Sequence, residues 1–554
     1  MGLREDIKPW IVALRLSKGE GRLNTGLRER IAKFLSIPPS WLLALLIGST
    51  LLGTVFGLWK VWMIFGYDGD NTYPESTIVR IALWAAHTGH LFPKLDASPF
   101  TPAPYGPLLY LSLAGIARLG SLDFLGLLRM GRELVFACFL LTAWVAYRWS
   151  RRAGLRPFLA LLSSTFILSQ YDFAEWNVSV RPDAIALFLD LLAIYFISRA
   201  EFPSVADAIL GGLCLGFAVL FKQSYSAAAL AIGLWLLFHV RIRQLIIVSV
   251  AAMLPVATTF GLLLLRHEPV FQEAALFRSS IVNPASGLAL LKKDLLQFPS
   301  QGILLSLGLL GLWVALTESP IRARLLGIYW LLACCVAISL STGPGSSTNA
   351  FLEIWTIAAL LVPFAVRKMM VDWSTASPVL RAALLLLLLW TFGLGLEAWR
   401  TQVALGRRQG FKGVAWALEG REYLSDNSYL AVQAKTPVLL DPSVNHYLEL
   451  AGRWSPQPVI DELNNQNYDV VVLGLDKGRL LQWRGYTLFS PAVLRGIQQT
   501  YEVSCLTERL AVMTPRSDPH HNREQLLARL SQAGCRIVDQ ATATQSLFAT
   551  SVQP

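Results

Sequence analysis

Charge is what this chain has little of. Asp, Glu, Lys and Arg make up 15% of its 554 residues, where soluble domains carry about 25%. Its hydrophobic share is 54%, gathered in long blocks. That pattern excludes a single large water-soluble core and indicates a membrane protein. Nucleic-acid binding calls for a basic face interleaved with aromatics on a soluble domain, and no such stretch exists, although the net charge is +11 and unevenly placed. Cysteines are scarce and lack the Cys/His spacing of a zinc site. Cys138, Cys214, Cys334 and Cys335 fall in apolar runs and read as small core residues. Cys505 and Cys535 are able to pair if their domain lies outside the cytoplasm. The His520-His521 pair sits in a polar stretch and reads as solvated. There is no tandem repeat and no low-complexity linker. The first apolar run starts near residue 41, too late and too long for a cleavable signal peptide, so it reads as a signal anchor.

What is present is a series of apolar runs, each near the roughly 20 residues that a membrane-spanning helix needs. They lie near 41–65, 133–148, 157–171, 183–199, 205–221, 224–240, 244–265, 300–316, 323–341, 350–366 and 379–397. Positive charge sets the orientation. Arg4, Lys8, Arg15, Lys18, Arg22, Arg28, Arg30 and Lys33 place the arm 1–40 in the cytoplasm. If segment 106–118 lies along the outer surface, then Arg148, Arg151, Arg152, Arg156, Arg241, Arg243, Arg322, Arg324, Arg367 and Lys368 all fall inside. The expectation is a polytopic all-α membrane domain over 41–399 with about eleven spans. The outer loop 66–132 would carry two interfacial helices, Glu75–Gly89 and Pro107–Gly120.

From about 400 onward the pattern changes. Thr436–Leu440 and Tyr468–Leu473 read as short buried strands, with helices at Asn445–Gly452 and Pro458–Gln466. The alternation predicts a small α/β domain over 400–554. By the orientation above it is extracytoplasmic. Its tail, 516–554, is polar, with a helix near Arg523–Ala533.

Nearly all the unusual polar residues fall in the outer loops. Asp68, Asp70 and Glu75 crowd the end of the first apolar run, where carboxylates are costly unless they meet water, a cation or a substrate. Glu175, Arg181 and Asp183 follow in a second loop, and Lys222-Gln223-Ser224 lies between two spans. Arg278, Asn283, Lys292 and Lys293 occupy loop 266–299. Gly343-Pro344-Gly345-Ser346-Ser347-Thr348-Asn349 opens a helix carrying Glu353. Each has a plainer reading. Arg181-Pro182-Asp183 resembles an ordinary helix start, Lys222 a snorkelling lysine, the glycine stretch a turn, and Glu75 a compensator of a helix dipole. Together they suit a reaction between a phosphate-bearing lipid and a polar acceptor. A carboxylate takes the proton of an attacking hydroxyl, while Arg, Lys and helix N-terminal N–H groups hold the departing phosphate. The same acids also have the chemistry to hold a divalent cation through oxygen, and the residues alone leave both roles open.

The order of anchor helix, acidic loop, Tyr105-Gly106-Pro107, Arg181-Pro182-Asp183, Phe221-Lys222-Gln223-Ser224 and Asn349-Ala350-Phe351-Leu352-Glu353 resembles the GT-C superfamily of integral-membrane glycosyltransferases. The nearest kin by this pattern are bacterial relatives of protein O-mannosyltransferases and of the lipid A aminoarabinose transferases. The resemblance spans about 41–515. It implies a polyprenyl-phosphate sugar donor, an acceptor on the extracytoplasmic side of the cell membrane, and inversion at the anomeric carbon. It also implies a catalytic acid that opens the first outer helix. Glu75, about fourteen residues before Gly89, fits that position, with Asp70 and Asp68 nearby. By the same resemblance Arg181, Lys222, Asn349 and Ser347 attend the donor phosphate, supported by Asp183, Gln223 and Glu353. Two other classes stay open. A transporter or flippase of lipid-linked sugar would ordinarily show paired repeats and a midplane site, which the sequence lacks. A non-catalytic assembly subunit would use the C-terminal domain to bind a partner.

Overall fold

The computed structural model describes residues 39–66, 75–92, 98, 100–169, 176, 178–268, 284–297, 299–318, 320–342, 347–371, 412–427, 430, 440–476, 478–483, 486–517 and 523–548. Every apolar run expected before residue 372 is a helix. They are α1 (Pro39–Phe65), α4 (Phe124–Arg152), α5 (Pro157–Ser169), α6 (Asp183–Ile197), α7 (Val205–Phe221), α8 (Ala227–Phe238), α9 (Ile242–Leu265), α11 (Pro299–Thr317), α12 (Ile321–Ser341) and α13 (Leu352–Val371). The run at 379–397 lies outside the described residues. Among the described residues three stretches are long and apolar enough to cross a membrane by length and composition, namely Ile242–Leu265, Ile321–Ser341 and Thr348–Val371, and further apolar stretches such as Thr50–Phe65 and Val205–Phe221 are shorter. Their burial differs sharply. The apolar window is 94% buried in Thr348–Val371 and 17% buried in Ile242–Leu265, so α13 is the central helix and α9 faces outward.

Small residues let these helices approach. A side chain added at Gly212 or Gly216 of α7 would sit 2.5 Å from the Val248 carbonyl or 2.3 Å from that of Ala252 on α9. This is the small-xxx-small contact of membrane helices, with backbones in direct touch.

Two features differ from the sequence expectation. Helix α4 begins at Phe124, nine residues before the apolar run, because Asp123 caps it by accepting from the Gly126 N–H at 2.8 Å. Arg129, Arg132 and Glu133 interrupt the hydrophobic pattern there without interrupting the helix. The outer helices α2 (Glu75–Thr88) and α3 (Pro107–Gly120) form where expected. However, Ile78, Val79, Ile81 and Ala82 are fully buried, so α2 is part of the packed core rather than resting on its surface. Helix α10 (Pro284–Gln297) lies within the expected loop 266–299.

The C-terminal domain is a mixed sheet flanked by helices. Strands β1 (Tyr423–Ser425), β2 (Val470–Asp476), β6 (Tyr501–Leu506), β7 (Leu510–Pro515) and β8 (Arg536–Ile537) are ordered β1-β2-β7-β6-β8. The first pair is parallel and the other pairs are antiparallel. Short strand β3 (Arg479–Leu480) pairs with β2, and β4 (Gln482–Trp483) and β5 (Tyr486–Thr487) form a separate two-stranded sheet. The expected helices appear as Pro442–Leu450 and Gln457–Asn464. Of the expected strand Thr436–Leu440, only Leu440 is described, and it bridges Phe100 in the parallel sense. The stretch after 516 is part of the fold: helix Arg523–Gln532 precedes β8, and helix Gln540–Phe548 buries Leu547 and Phe548. Cys505 and Cys535 form a disulfide with Cα atoms 5.8 Å apart. Phe100 is wholly buried among Leu424, Leu440 and Val459 of this domain, so the loop after α2 plugs the two halves together.

Candidate active site at the helix ends

Four of the polar residues singled out in the sequence, Arg181, Asp183, Lys222 and Asn349, converge where three helices begin or end. Asp183 opens α6 behind Pro182, whose fixed φ suits a helix start. Lys222 caps the C-terminus of α7, and Asn349 lies in the 3₁₀ turn Thr348–Phe351 that leads into α13. Asp183 is the hub. Its Oδ1 accepts from the Lys222 ammonium and from Asn349 Nδ2 at 3.0 Å. Its Oδ2 accepts from Arg181 Nε at 3.4 Å. The carboxylate is fully buried, with Lys222, Arg181 and Asn349 all less than 8% exposed. Charges so placed are stable only with partners in good geometry, and here the ions are held by helix ends that cannot drift independently.

Aromatic side chains fix the guanidinium. Arg181 donates to the Tyr105 hydroxyl at 2.6 Å. Its charge lies 5.4 Å from the Tyr105 ring centre and 4.8 Å from that of Trp176. Trp176 in turn donates to Thr348 Oγ1 at 3.0 Å. Gly106 makes this approach possible. Its N–H donates to the Phe221 carbonyl at 3.2 Å, and a Cβ there would lie 2.0 Å from the Leu220 carbonyl oxygen. Gln223 is exposed and donates to the Pro104 carbonyl at 3.2 Å, fastening the same loop. Ser347 is half-buried in extended backbone just before the 3₁₀ turn.

Glu75 is differently placed. Its carboxylate is fully buried and paired in two-pronged fashion with Arg132, Nε to Oε1 at 3.1 Å and Nη2 to Oε2 at 2.8 Å. Oε1 also accepts from the Val180 N–H at 2.7 Å, and Arg132 donates to the Ile64 carbonyl at 3.1 Å. The carboxylate therefore ties α1, α2, α4 and the Arg181 loop into one unit. A group whose lone pairs are so engaged, away from solvent, is poorly disposed to take a proton from a substrate. Asp68, Asp70 and Glu175, with the Gly343–Ser346 turn, Arg278 and Asn283, lie outside the described residues. Lys292 is exposed on α10 and joins none of the described ion pairs at the site.

Sequence reasoning missed three groups. Arg132, the partner of Glu75, is separated from it by 57 positions and has no local signal. Tyr225 follows Lys222 closely, with the ammonium 5.3 Å from its ring centre. Asp190 lies mid-run in α6, fully buried, and among the described residues neither carboxyl oxygen has a hydrogen-bond partner. An acid inside an apolar run was a legible signal. A small cleft opens beside the hub, lined by Lys222, Asn349, Ser224, Tyr225 and Glu353, with one wall from α12.

The arrangement suits an anion. Among the described residues two cations and an amide meet one carboxylate, an array matched to phosphate oxygens. For a divalent cation, no group of three or more His, Cys, Asp or Glu gathers among the described residues; Asp183 is engaged by side-chain cations, and Asp68 and Asp70 lie outside the described residues.

No family model and no curated protein matches the chain. Solved structures do. ArnT from Cupriavidus metallidurans in the apo state superposes with a TM-score of 0.53 at 15% identity, over 84% of this chain and 97% of that one. The same protein bound to undecaprenyl phosphate gives 0.52 at 15% identity, over 84% and 98%. The Archaeoglobus fulgidus oligosaccharyltransferase tethered to an acceptor peptide gives 0.50 at 11% identity, over 84% of this chain and 72% of that one. At such identities the likeness is one of fold alone: this chain shares the architecture of these solved proteins.

Proposed function

We propose that this protein is a membrane glycosyltransferase that moves a sugar from a polyprenyl-phosphate donor to an acceptor on the extracytoplasmic side, with inversion at the anomeric carbon. One observation carries the reading: Arg181, Lys222 and Asn349 converge, buried, on Asp183 where three membrane helices start or stop. Buried cations at the rim of a bilayer suit the phosphate of a lipid whose tail lies between helices. The architecture shared with a protein solved with undecaprenyl phosphate supports the donor class. The disulfide between Cys505 and Cys535 supports a C-terminal domain outside the cytoplasm and an N-terminus inside.

In this reading Arg181, Lys222 and Asn349 receive the phosphate, and Asp183 holds them in place before it arrives. The acceptor's hydroxyl attacks the anomeric carbon from the face opposite the phosphate. The bond from that carbon to the phosphate oxygen breaks, and the electron pair leaves on the lipid phosphate. A carboxylate takes the hydroxyl proton. Because Glu75 is committed to Arg132, the base falls to Asp70 or Asp68 in the segment just before it, and Glu75 is a positioning residue. No step is routed through a metal.

The test is transfer from radiolabelled undecaprenyl-phosphate sugars in proteoliposomes made with envelope lipids and cell-wall acceptors. Wild-type protein transfers label, and Lys222→Met and Asp70→Asn abolish transfer while expression stays intact. Lipid movement across the bilayer without transfer, or full activity in both variants, would overturn it.

A further inference from the structure

The resemblance gave Glu353 a supporting part at the donor phosphate, but the hub's hydrogen bonds among the described residues run between Asp183, Arg181, Lys222 and Asn349, and Glu353 instead lines the cleft beside them with Tyr225. Glu353, in the first turn of α13, is 6% exposed, and among the described residues its Oε1 has no hydrogen-bond partner of ordinary geometry, although the buried Tyr329 hydroxyl on α12 lies close enough to interact with the carboxyl. Tyr225 is 4% exposed, and its hydroxyl is also without a hydrogen-bond partner among the described residues. Buried polar atoms are nearly always satisfied, and a cleft with orphaned acceptors on its wall calls for a ligand that donates hydrogen bonds. A phosphate has acceptor oxygens and carries the same sign of charge as a carboxylate, so it does not suit Glu353. An isoprenoid tail has no donors at all. A sugar presents several hydroxyl donors on one small ring.

We propose that Glu353 and Tyr225 form the sugar-reading part of the donor site. The inference rests on the polyprenyl-phosphate reading above. Lys222 and Asn349 belong both to the hub and to this cleft, so whatever is esterified to a phosphate on them falls next to Ser224, Tyr225 and Glu353. Glu353 Oε1 accepts from a sugar hydroxyl, the Tyr225 hydroxyl closes the hydrogen-bond ring, and the apolar wall from α12 packs against the sugar face. Glu353 is thereby a specificity residue, since it rewards a donor that carries a hydroxylated group and gives nothing to the bare lipid phosphate.

The experiment compares binding of undecaprenyl phosphate with binding of its hexosyl, aminopentosyl and N-acetylhexosaminyl esters, using the full chain in detergent. Wild-type protein binds at least one ester more tightly than the bare phosphate. Glu353→Ala weakens that ester at least tenfold and leaves the bare phosphate within twofold. Tyr225→Phe, which removes one oxygen and little volume, weakens the ester about threefold by the loss of a neutral hydrogen bond. If Glu353→Ala does not fold, Glu353→Gln carries the test, with a loss confined to the ester. An ester preference that survives in these variants, an equal loss for ester and bare phosphate, or no ester preference in the wild type overturns the assignment. Failure of wild-type protein to bind bare undecaprenyl phosphate is a different result, and it removes the donor reading itself.

Discussion

Replacing Glu75 separates a structural role from a catalytic one. In Glu75→Gln the remaining oxygen still accepts from Val180 N–H and Arg132 Nε. The new amide nitrogen, however, points donors at Arg132 Nη2, where a 2.8 Å charged bond stood. Both side chains are fully buried, so water does not rescue the stranded guanidinium. Removing one member of a buried pair costs about 3–5 kcal/mol. Glu75→Gln belongs at the lower end and Glu75→Ala at the upper, because the Val180 N–H is stranded as well. Replacing both charges with apolar groups removes the mismatch, so Glu75→Leu with Arg132→Met recovers at least half of the loss. Recovery is incomplete because the Ile64 carbonyl loses its donor. Unfolding of the full chain in mixed dodecylmaltoside and dodecylsulfate micelles reads these differences. The double variant also keeps measurable glycosyl transfer, since it removes no reacting group. A Glu75→Gln protein with wild-type stability and no transfer would refute the reasoning and restore Glu75 as the base.

Four further outcomes follow from the geometry. Lys222→Met removes one charged hydrogen bond to a bound phosphate, worth about 1.5–3 kcal/mol, so undecaprenyl phosphate affinity falls roughly 10- to 150-fold by titration. Burial raises the Asp426 carboxyl from its ordinary 3.8 to about 7, although the Gly474 N–H opposes the shift. Its contribution to the C-terminal domain is therefore fully present below about pH 4 and lost as pH rises through about 7. Asp426→Asn, whose Oδ1 still accepts from Gly474, slows hydrogen exchange in β1 and β2 at pH 8 and changes it little at pH 4. Phe100→Ala empties a fully buried aromatic site at a cost of about 3–5 kcal/mol, and limited proteolysis then releases the C-terminal domain. Gly106→Ala forces a methyl against the Leu220 carbonyl, displacing Tyr105 and lowering phosphate affinity in the same titration.

The membrane helices were legible because a bilayer demands length and apolarity, and both are local properties of the chain. Arg181, Asp183, Lys222 and Asn349 were legible because each breaks an apolar pattern at a helix end. Their mutual contact was not, since Asp183 and Asn349 are 166 positions apart and only tertiary packing joins them. Arg132 was hidden for a related reason. It interrupts hydrophobicity inside a continuous helix and by sequence reads as loop, so the buried partner of Glu75 has no visible counterpart there. The polar stretch after 516 was misleading in the opposite sense. Short amphipathic elements with few apolar residues, such as Leu547 and Phe548, are enough to fasten it to the sheet.

Phe100 and Tyr105 sit on one short stretch of chain. The first is lodged in the C-terminal domain, where the carbonyl of Phe100 also receives the Asp441 N–H at 3.2 Å. The second grips Arg181. A tilt of the C-terminal domain therefore pulls on the very ring that steadies the guanidinium. Thermodynamic reciprocity then applies: any molecule that prefers one tilt of that domain also retunes the hold on whatever the Arg181 site binds, and a ligand arriving there changes how well the domain receives that molecule.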